Sequence, residues 1–143
     1  MNDTRQFENY TLDHDITLLC VTASSFPDGI ADAHRELRML AIERHLPYRY
    51  GISHPDLTGG ITYWAGAEAT HLRGVKRGLK EFVLKKGWYT SAVLRNYEAD
   101  VLYIGRTFIA LLARPDIDEH GACIEWYFND QDVRCMVRLE SGR

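Results

Sequence analysis

The residues with the most chemical promise lie together near the end of the chain, in ACIEWYFNDQDVRCMVRL (122–139). One carboxylate, Glu125, stands there among aromatic and sulfur-bearing side chains. Tyr127 follows two residues on, and Arg134 and Arg138 come after a short polar break. Residues 122–128 and 133–139 are rich in β-branched and aromatic types, which predicts a hairpin across 129–132. A turn centred at 130–131 sets Glu125 opposite Met136. One face then carries Ile124, Trp126, Phe128, Val133, Cys135, Val137 and Leu139, a wholly apolar set that a helix must cover. The other face carries Cys123, Glu125, Tyr127, Arg134, Met136 and Arg138. Two chemistries follow for Glu125. Exposed, it pairs with Arg134 or Arg138 for about 0–1 kcal/mol. Walled in by rings, it holds its proton more tightly and becomes either a partner for a cation or a general acid/base.

The rings decide how such a wall is built. Tyr48, Tyr50, Tyr63, Trp64, Trp88, Tyr89, Trp126 and Tyr127 all fall in predicted strands. Helices cover only one side of a small sheet, so some of these rings line the uncovered face. Tyr50, Trp64 and Trp88 are therefore expected beside Glu125 and Tyr127, in a pocket suited to a flat, lipophilic, often cationic molecule. No nucleophile–base pair is evident. Ser91 is the only serine inside a core strand, and no histidine falls on a predicted strand to activate it. Catalysis here is confined to easy chemistry such as opening a strained electrophile, with Glu125 as acid or base and Tyr127 holding the water.

The elements that position these residues follow from apolar periodicity. Residues 16–23 (ITLLCVTA) predict a buried strand, and SSFPDG ends it with Asp28 placed to cap a helix. From Ile30, the residues Ile30, Ala33, Leu37 and Leu40 recur at helical spacing until His45-Leu46-Pro47, with His34 and His45 read as surface residues. Two aromatic strands follow at 48–53 and 61–66. A second cycle has strands at 79–84 and 87–94 and a helix over 100–113, with Val101, Ile104, Phe108, Leu111 and Leu112 in one stripe. Pro115 stops that helix before the final hairpin. The order predicts an α+β fold: a tandem of two strand–helix–strand–strand units with antiparallel sheets and a central groove. Residues 1–14 are expected to form a polar arm, and 15–143 one domain with repeats at about 15–67 and 79–140.

Composition narrows the classes. The net charge of −3 provides no basic field for nucleic acid, and no apolar run reaches the roughly 20 residues of a membrane span. The start has neither secretory nor transit character, so a cytoplasmic location is expected. Cys20, Cys123 and Cys135 form an odd set without CxxC spacing, which indicates buried structural thiols rather than a disulfide or zinc site. Asp13-His14-Asp15 reads as a solvated lead-in, and His54, His71 and His120 fall in predicted loops without ligand spacing, so no metal is expected. Gly59-Gly60 is no phosphate loop, and no cofactor is expected. The basic stretch from Arg73 to Lys86 reads as a solvated face, with a protein-interaction patch as the alternative.

Two segments carry a family resemblance. KKGWYTSA (85–92) resembles the "pKGrYa" segment of the GyrI-like small-molecule-binding domains, and ACIEWYFND (122–130) resembles their late "fEvYlnn" strand. That family includes effector-binding halves of bacterial multidrug-sensing transcription activators and free-standing gyrase-inhibitor proteins. The resemblance covers about 16–139 and implies the tandem fold read above, here as a stand-alone member. It implies that Glu125 is the pocket glutamate facing cationic aromatic ligands, that Tyr127 lines the same pocket, and that Tyr97 supplies another pocket aromatic. Some members hydrolyse cyclopropane-bearing natural products, which keeps the hydrolase alternative open, and the gyrase-inhibitor branch implies a protein-interaction alternative. No helix-turn-helix pattern precedes the domain, so direct DNA binding is not implied.

Overall fold

The computed structural model describes residues 7–42, 45–73, 78–100 and 102–140. Among them run β1 (Glu8–Leu12), β2 (Ile16–Thr22), α1 (Ile30–Met39), β3 (Arg49–Pro55), β4 (Ile61–Glu68), β5 (Lys80–Leu84), β6 (Gly87–Leu94), α2 (Leu102–Leu112), β7 (Cys123–Tyr127) and β8 (Val133–Arg138). The two repeats are β2-α1-β3-β4 and β6-α2-β7-β8. The α+β tandem is present, but as one antiparallel sheet of eight strands in the order β1-β6-β8-β7-β3-β4-β2-β5. The expectation of two separate sheets is corrected by β3 and β7, which pair from Arg49–Tyr127 to Ser53–Cys123. Two inner edges left apart in the middle of the molecule would bury unpaired N–H and C=O groups, so joining them is favoured.

Residues 8–12, expected within the polar arm, instead form an edge strand against β6. Their alternation is of period two: Tyr10 and Leu12 turn inward while Asn9 and Thr11 are exposed. β1 and β2 lie near opposite ends of the strand order yet are joined by only residues 13–15, and β5 and β6 by only 85–86. Links this short reach no more than about 3.6 Å per residue, so the sheet curls until its ends approach. Asp15 fastens the closure by accepting a hydrogen bond from the Lys86 amide at 2.8 Å. The next residue, Gly87, has φ +134°, which an L side chain rarely adopts, and this accounts for the glycine in the KKGWYTSA segment.

The curl gives the sheet two unlike faces. Its concave face buries Leu18, Cys20, Tyr50, Ile52, Leu84, Tyr89, Ile124 and Met136. The convex face carries the helices, α1 on β4 and β2, α2 on β8 and β6, so that β3 and β7 floor a trough between them. α1 follows Gly29, which takes the N-cap place expected for Asp28, and no side chain caps it. His34, expected at the surface, is 5% exposed, because its position four residues after Ile30 and three before Leu37 puts it on the packed stripe of α1. On α2, Thr107, Phe108 and Leu111 are buried while Leu112 is exposed; Val101 lies outside the described residues. No helix among the described residues is long and apolar enough to cross a membrane.

The final hairpin differs from expectation by one residue. Glu125 pairs with Cys135, Ile124 with Met136 and Trp126 with Arg134. The cause is local. The Asn129 side-chain oxygen accepts from the amides of Gln131 and Asp132 at 2.7 and 2.8 Å, so the turn centres on residue 130 instead of between 130 and 131. A one-residue slip carries one strand's side chains to the other face. Glu125 therefore lies with Tyr127, Cys135 and Val137 on the helix-bearing face, and the arginines of β8 lie on the other. Arg134 pairs with Glu8 at 2.8 Å, and Arg138 donates to the Lys86 carbonyl at 2.8 Å, so the expected Glu125–arginine pairs across the turn do not form.

Candidate functional site

Glu125 sits at the middle of the trough floor, 8% exposed, where β7 meets β3. Two phenols hold it: the Tyr127 hydroxyl donates to Oε1 at 2.5 Å and the Tyr63 hydroxyl donates to the same oxygen at 2.9 Å. Oε2 has no hydrogen-bond partner among the described residues. Tyr63 comes from β4, in the other repeat, and reaches Glu125 by passing over Gly51. A Cβ on Gly51 would stand 2.0 Å from the Tyr63 hydroxyl oxygen and 2.7 Å from Glu125 Oε1. Gly51 is thus the residue that lets the tyrosine and the carboxylate meet. Gly51→Ala is expected to displace Tyr63 and destabilise the fold by about 1–3 kcal/mol, read from urea unfolding midpoints. An unchanged midpoint would mean that Tyr63 can swing aside freely.

Behind Tyr63, the network continues into α1. The Tyr63 hydroxyl lies 2.8 Å from His34 Nε2, and Arg49 Nη1 lies 3.1 Å from His34 Nδ1. Arginine can only donate, so Nδ1 accepts and the neutral ring carries its proton on Nε2, donating to Tyr63. The hydrogen bonds then run in one direction, from His34 through Tyr63 to Glu125. Arg49 also donates to the Tyr97 hydroxyl at 3.2 Å, and its guanidinium carbon lies 4.2 Å from the centre of the Tyr127 ring. Tyr97 and Tyr127 meet edge to face at 5.2 Å. Each repeat contributes: His34, Arg49, Gly51 and Tyr63 from the first; Tyr97, Glu125 and Tyr127 from the second.

Burial dominates the electrostatics. It raises the Glu125 carboxyl above its ordinary value, and the Tyr127 and Tyr63 hydrogen bonds and the Arg49 charge only partly oppose it. Burial, assisted by the positive charges of Arg49 and Arg38, pushes His34 down to about 3. Tyr63 and Tyr127 are raised well above ordinary phenols by burial and by the neighbouring carboxylate, so both remain donors. Such an arrangement can hold a cation or a proton on Glu125 while two tyrosines fix the carboxylate's orientation.

Two clefts open beside this cluster. One of about 390 Å3 is lined by Tyr48, Arg49, Tyr127 and Phe128, the other of about 270 Å3 by Arg38, Arg49, Tyr97 and Asp130. The structure brings Glu125, Tyr127 and Tyr97 together, and it separates the remaining expected residues from them. Tyr50 lies on the concave face, its ring parallel to Trp126 with centres 6.4 Å apart. Trp64 is on that face too, edge-on to His54 at 4.8 Å, and both line a different cleft of about 500 Å3 with Phe82 and Tyr89. His54 itself belongs to β3 rather than a loop. Trp88 is 44% exposed and four residues along β6 from Ala92, which shares the row of Glu125 through Cys135. Sequence reading missed His34, Arg49, Gly51 and Tyr63 as members of the site. The available signals were an isolated glycine inside an aromatic strand and a histidine at apolar helical spacing. The thiols of Cys20 and Cys123 are pushed up by burial to about 12 and about 11, as inert core thiols would be. No group of histidine, cysteine and carboxylate side chains able to hold a metal occurs among the described residues.

Comparison with solved structures finds the same architecture elsewhere. An integron cassette protein from Vibrio cholerae is 12% identical, with a TM-score of 0.69 over 95% of this chain and 97% of that one. SAV2435, solved with tetraphenylphosphonium bound, is 9% identical, with a TM-score of 0.59 over 95% and 94%. A Staphylococcus aureus protein provisionally assigned to transcription regulation is 12% identical, with a TM-score of 0.56 over 96% and 99%. At these identities, what is shared is the fold, in agreement with the tandem architecture of GyrI-like domains. No protein-family model and no curated protein matches the sequence.

Proposed function

We propose that this chain is a small-molecule-binding module of the GyrI-like type, holding a hydrophobic, neutral or cationic aromatic ligand in the trough between the repeats. Glu125 forms the floor of that site, and Tyr127 and Tyr97 form its ring wall. The observation that carries the reading is Glu125 itself: a buried carboxylate with Oε1 held by two tyrosines and Oε2 without a hydrogen-bond partner among the described residues. Rings beside a partly satisfied carboxylate in a dry setting suit a lipophilic cation. The fold shared with SAV2435, which was solved with tetraphenylphosphonium, supports the same ligand class.

Calorimetric titration of tetraphenylphosphonium into the wild type and Glu125→Gln tests this. A charge-assisted contact is worth about 1.5–3 kcal/mol, so the variant is expected to bind roughly ten- to hundred-fold more weakly while keeping its circular dichroism spectrum. Equal affinity would remove Glu125 from the site. Ring-opened product from a cyclopropane-bearing alkylator, formed by the wild type and lost in Glu125→Gln, would move the reading to the hydrolase.

A further inference from the structure

We infer that Arg49 is a built-in stand-in for the ligand's positive charge, so that a cation reaches Glu125 only by displacing this guanidinium. The inference rests on the reading that ligand binds at Glu125, and it adds the residue that sets charge selectivity there. Arg49 stands at the start of β3, directly across the ladder from Tyr127. Its guanidinium lies 4.2 Å over the Tyr127 ring and within 3.2 Å of the Tyr97 hydroxyl, and its charge opposes the burial that raises Glu125. A ring face together with a nearby negative charge is what a lipophilic cation would seek in this trough. The seat is already taken from within.

Three further observations mark the arrangement as displaceable. Among the described residues no carboxylate lies within ion-pair distance of Arg49; its direct hydrogen-bond partners are the neutral His34 and Tyr97. It is half-buried and lines both clefts beside the cluster, whereas Glu125 lines neither, so a molecule in either cleft meets the guanidinium and not the carboxylate. Arg38, which lines one of those clefts, is itself held below its ordinary value by burial and then by the charge of Arg49, so the two like charges disfavour one another. A neutral ligand with a strong acceptor needs no displacement, since the guanidinium has N–H groups to spare beyond those given to His34 and Tyr97.

The test measures tetraphenylphosphonium and the neutral triphenylphosphine oxide on wild type, Arg49→Met, Arg49→Lys and Glu125→Gln, with thermal melting to confirm folding. Arg49→Met is expected to bind the cation about tenfold tighter or more and the neutral oxide no tighter, while Arg49→Lys stays with the wild type. Arg49→Gln, which keeps a donor to His34 or Tyr97 without the charge, carries the same test if the Met variant does not fold. If the wild type binds the cation through Glu125 but removing the Arg49 charge brings no gain, the stand-in is overturned and the binding site remains. Equal gains for both probes would overturn it too, because Arg49 would then be a steric plug. If neither the wild type nor the Arg49 variants bind the cation, the reading of the site falls and this inference with it.

Discussion

Acidification from pH 7 to pH 4 is expected to remove about 3 kcal/mol of folding stability through His34 alone. In the folded protein burial holds this ring down at about 3, against an ordinary value of 6.5. The sign follows from where each state takes up the proton. The unfolded chain binds it as pH falls through 6.5, while the folded protein resists until about 3. The contribution is therefore complete above 6.5 and drains away as pH falls toward about 3. Glu125 works in the opposite direction, since its raised carboxyl is relieved by protonation, so a comparison of variants is needed to isolate the histidine. Urea unfolding of wild type and His34→Gln at pH 7, 5.5 and 4 provides it. Glutamine can accept from Arg49 and donate to Tyr63 without taking up a proton. The wild type should lose stability with acid more steeply than the variant, and parallel slopes would show that His34 is not buried in the neutral form.

Glu125→Gln is expected to stabilise the fold at neutral pH, because the amide removes the cost of holding an ionised carboxylate out of water. The amide keeps an oxygen for the Tyr63 and Tyr127 hydroxyls and removes the cost of ionising a carboxyl that burial holds above 4.5. A folded-state value above the unfolded one means that the wild type is at its best below 4.5 and loses stability as pH rises through the raised value. The variant's advantage should be absent below pH 4.5, grow through that interval, and then level off. Chemical unfolding from pH 4 to 8 measures it, and a variant that is less stable at pH 8 would contradict the placement of Glu125. Stability gained with affinity lost is the pattern of a site kept for function.

How much of this could be read from the residues depends on how locally each feature is encoded. Elements came through well where periodicity carried them: the buried strand at 16–22, the helix from Ile30, the KGWY strand and the final hairpin. That Glu125 and Tyr127 stand together was legible in the second family-like segment, while Tyr97, outside both segments, came only with the resemblance as a whole. The facing of Glu125 was not, because one Asn129 side chain recentres the turn and so moves a whole strand's side chains across the sheet. Nor was the β3–β7 junction, which joins residues seventy or more positions apart. Without that junction nothing tells that Tyr63, Arg49 and Gly51 approach the carboxylate. His34 was hidden differently: a polar residue on a buried stripe reads as surface until its partners are known. The polar strand β1 was masked in the same way, since only Tyr10 and Leu12 pack inward.

The exchange of outer strands bears on how such a trough can yield to a guest. β1 precedes β2 in the chain but lies on β6, and β5 precedes β6 but lies on β2. Of the seven ladders among the described residues, three, β1–β6, β2–β5 and β3–β7, therefore stitch the first half of the chain to the second. The halves are interlocked like clasped hands, so they cannot spread about a hinge at the centre without tearing both outer seams. Room for a bulky guest must come from side chains and helices moving above a floor of fixed width. The same interlock ties the duplicated halves together, and a single cooperative unfolding transition is expected of them.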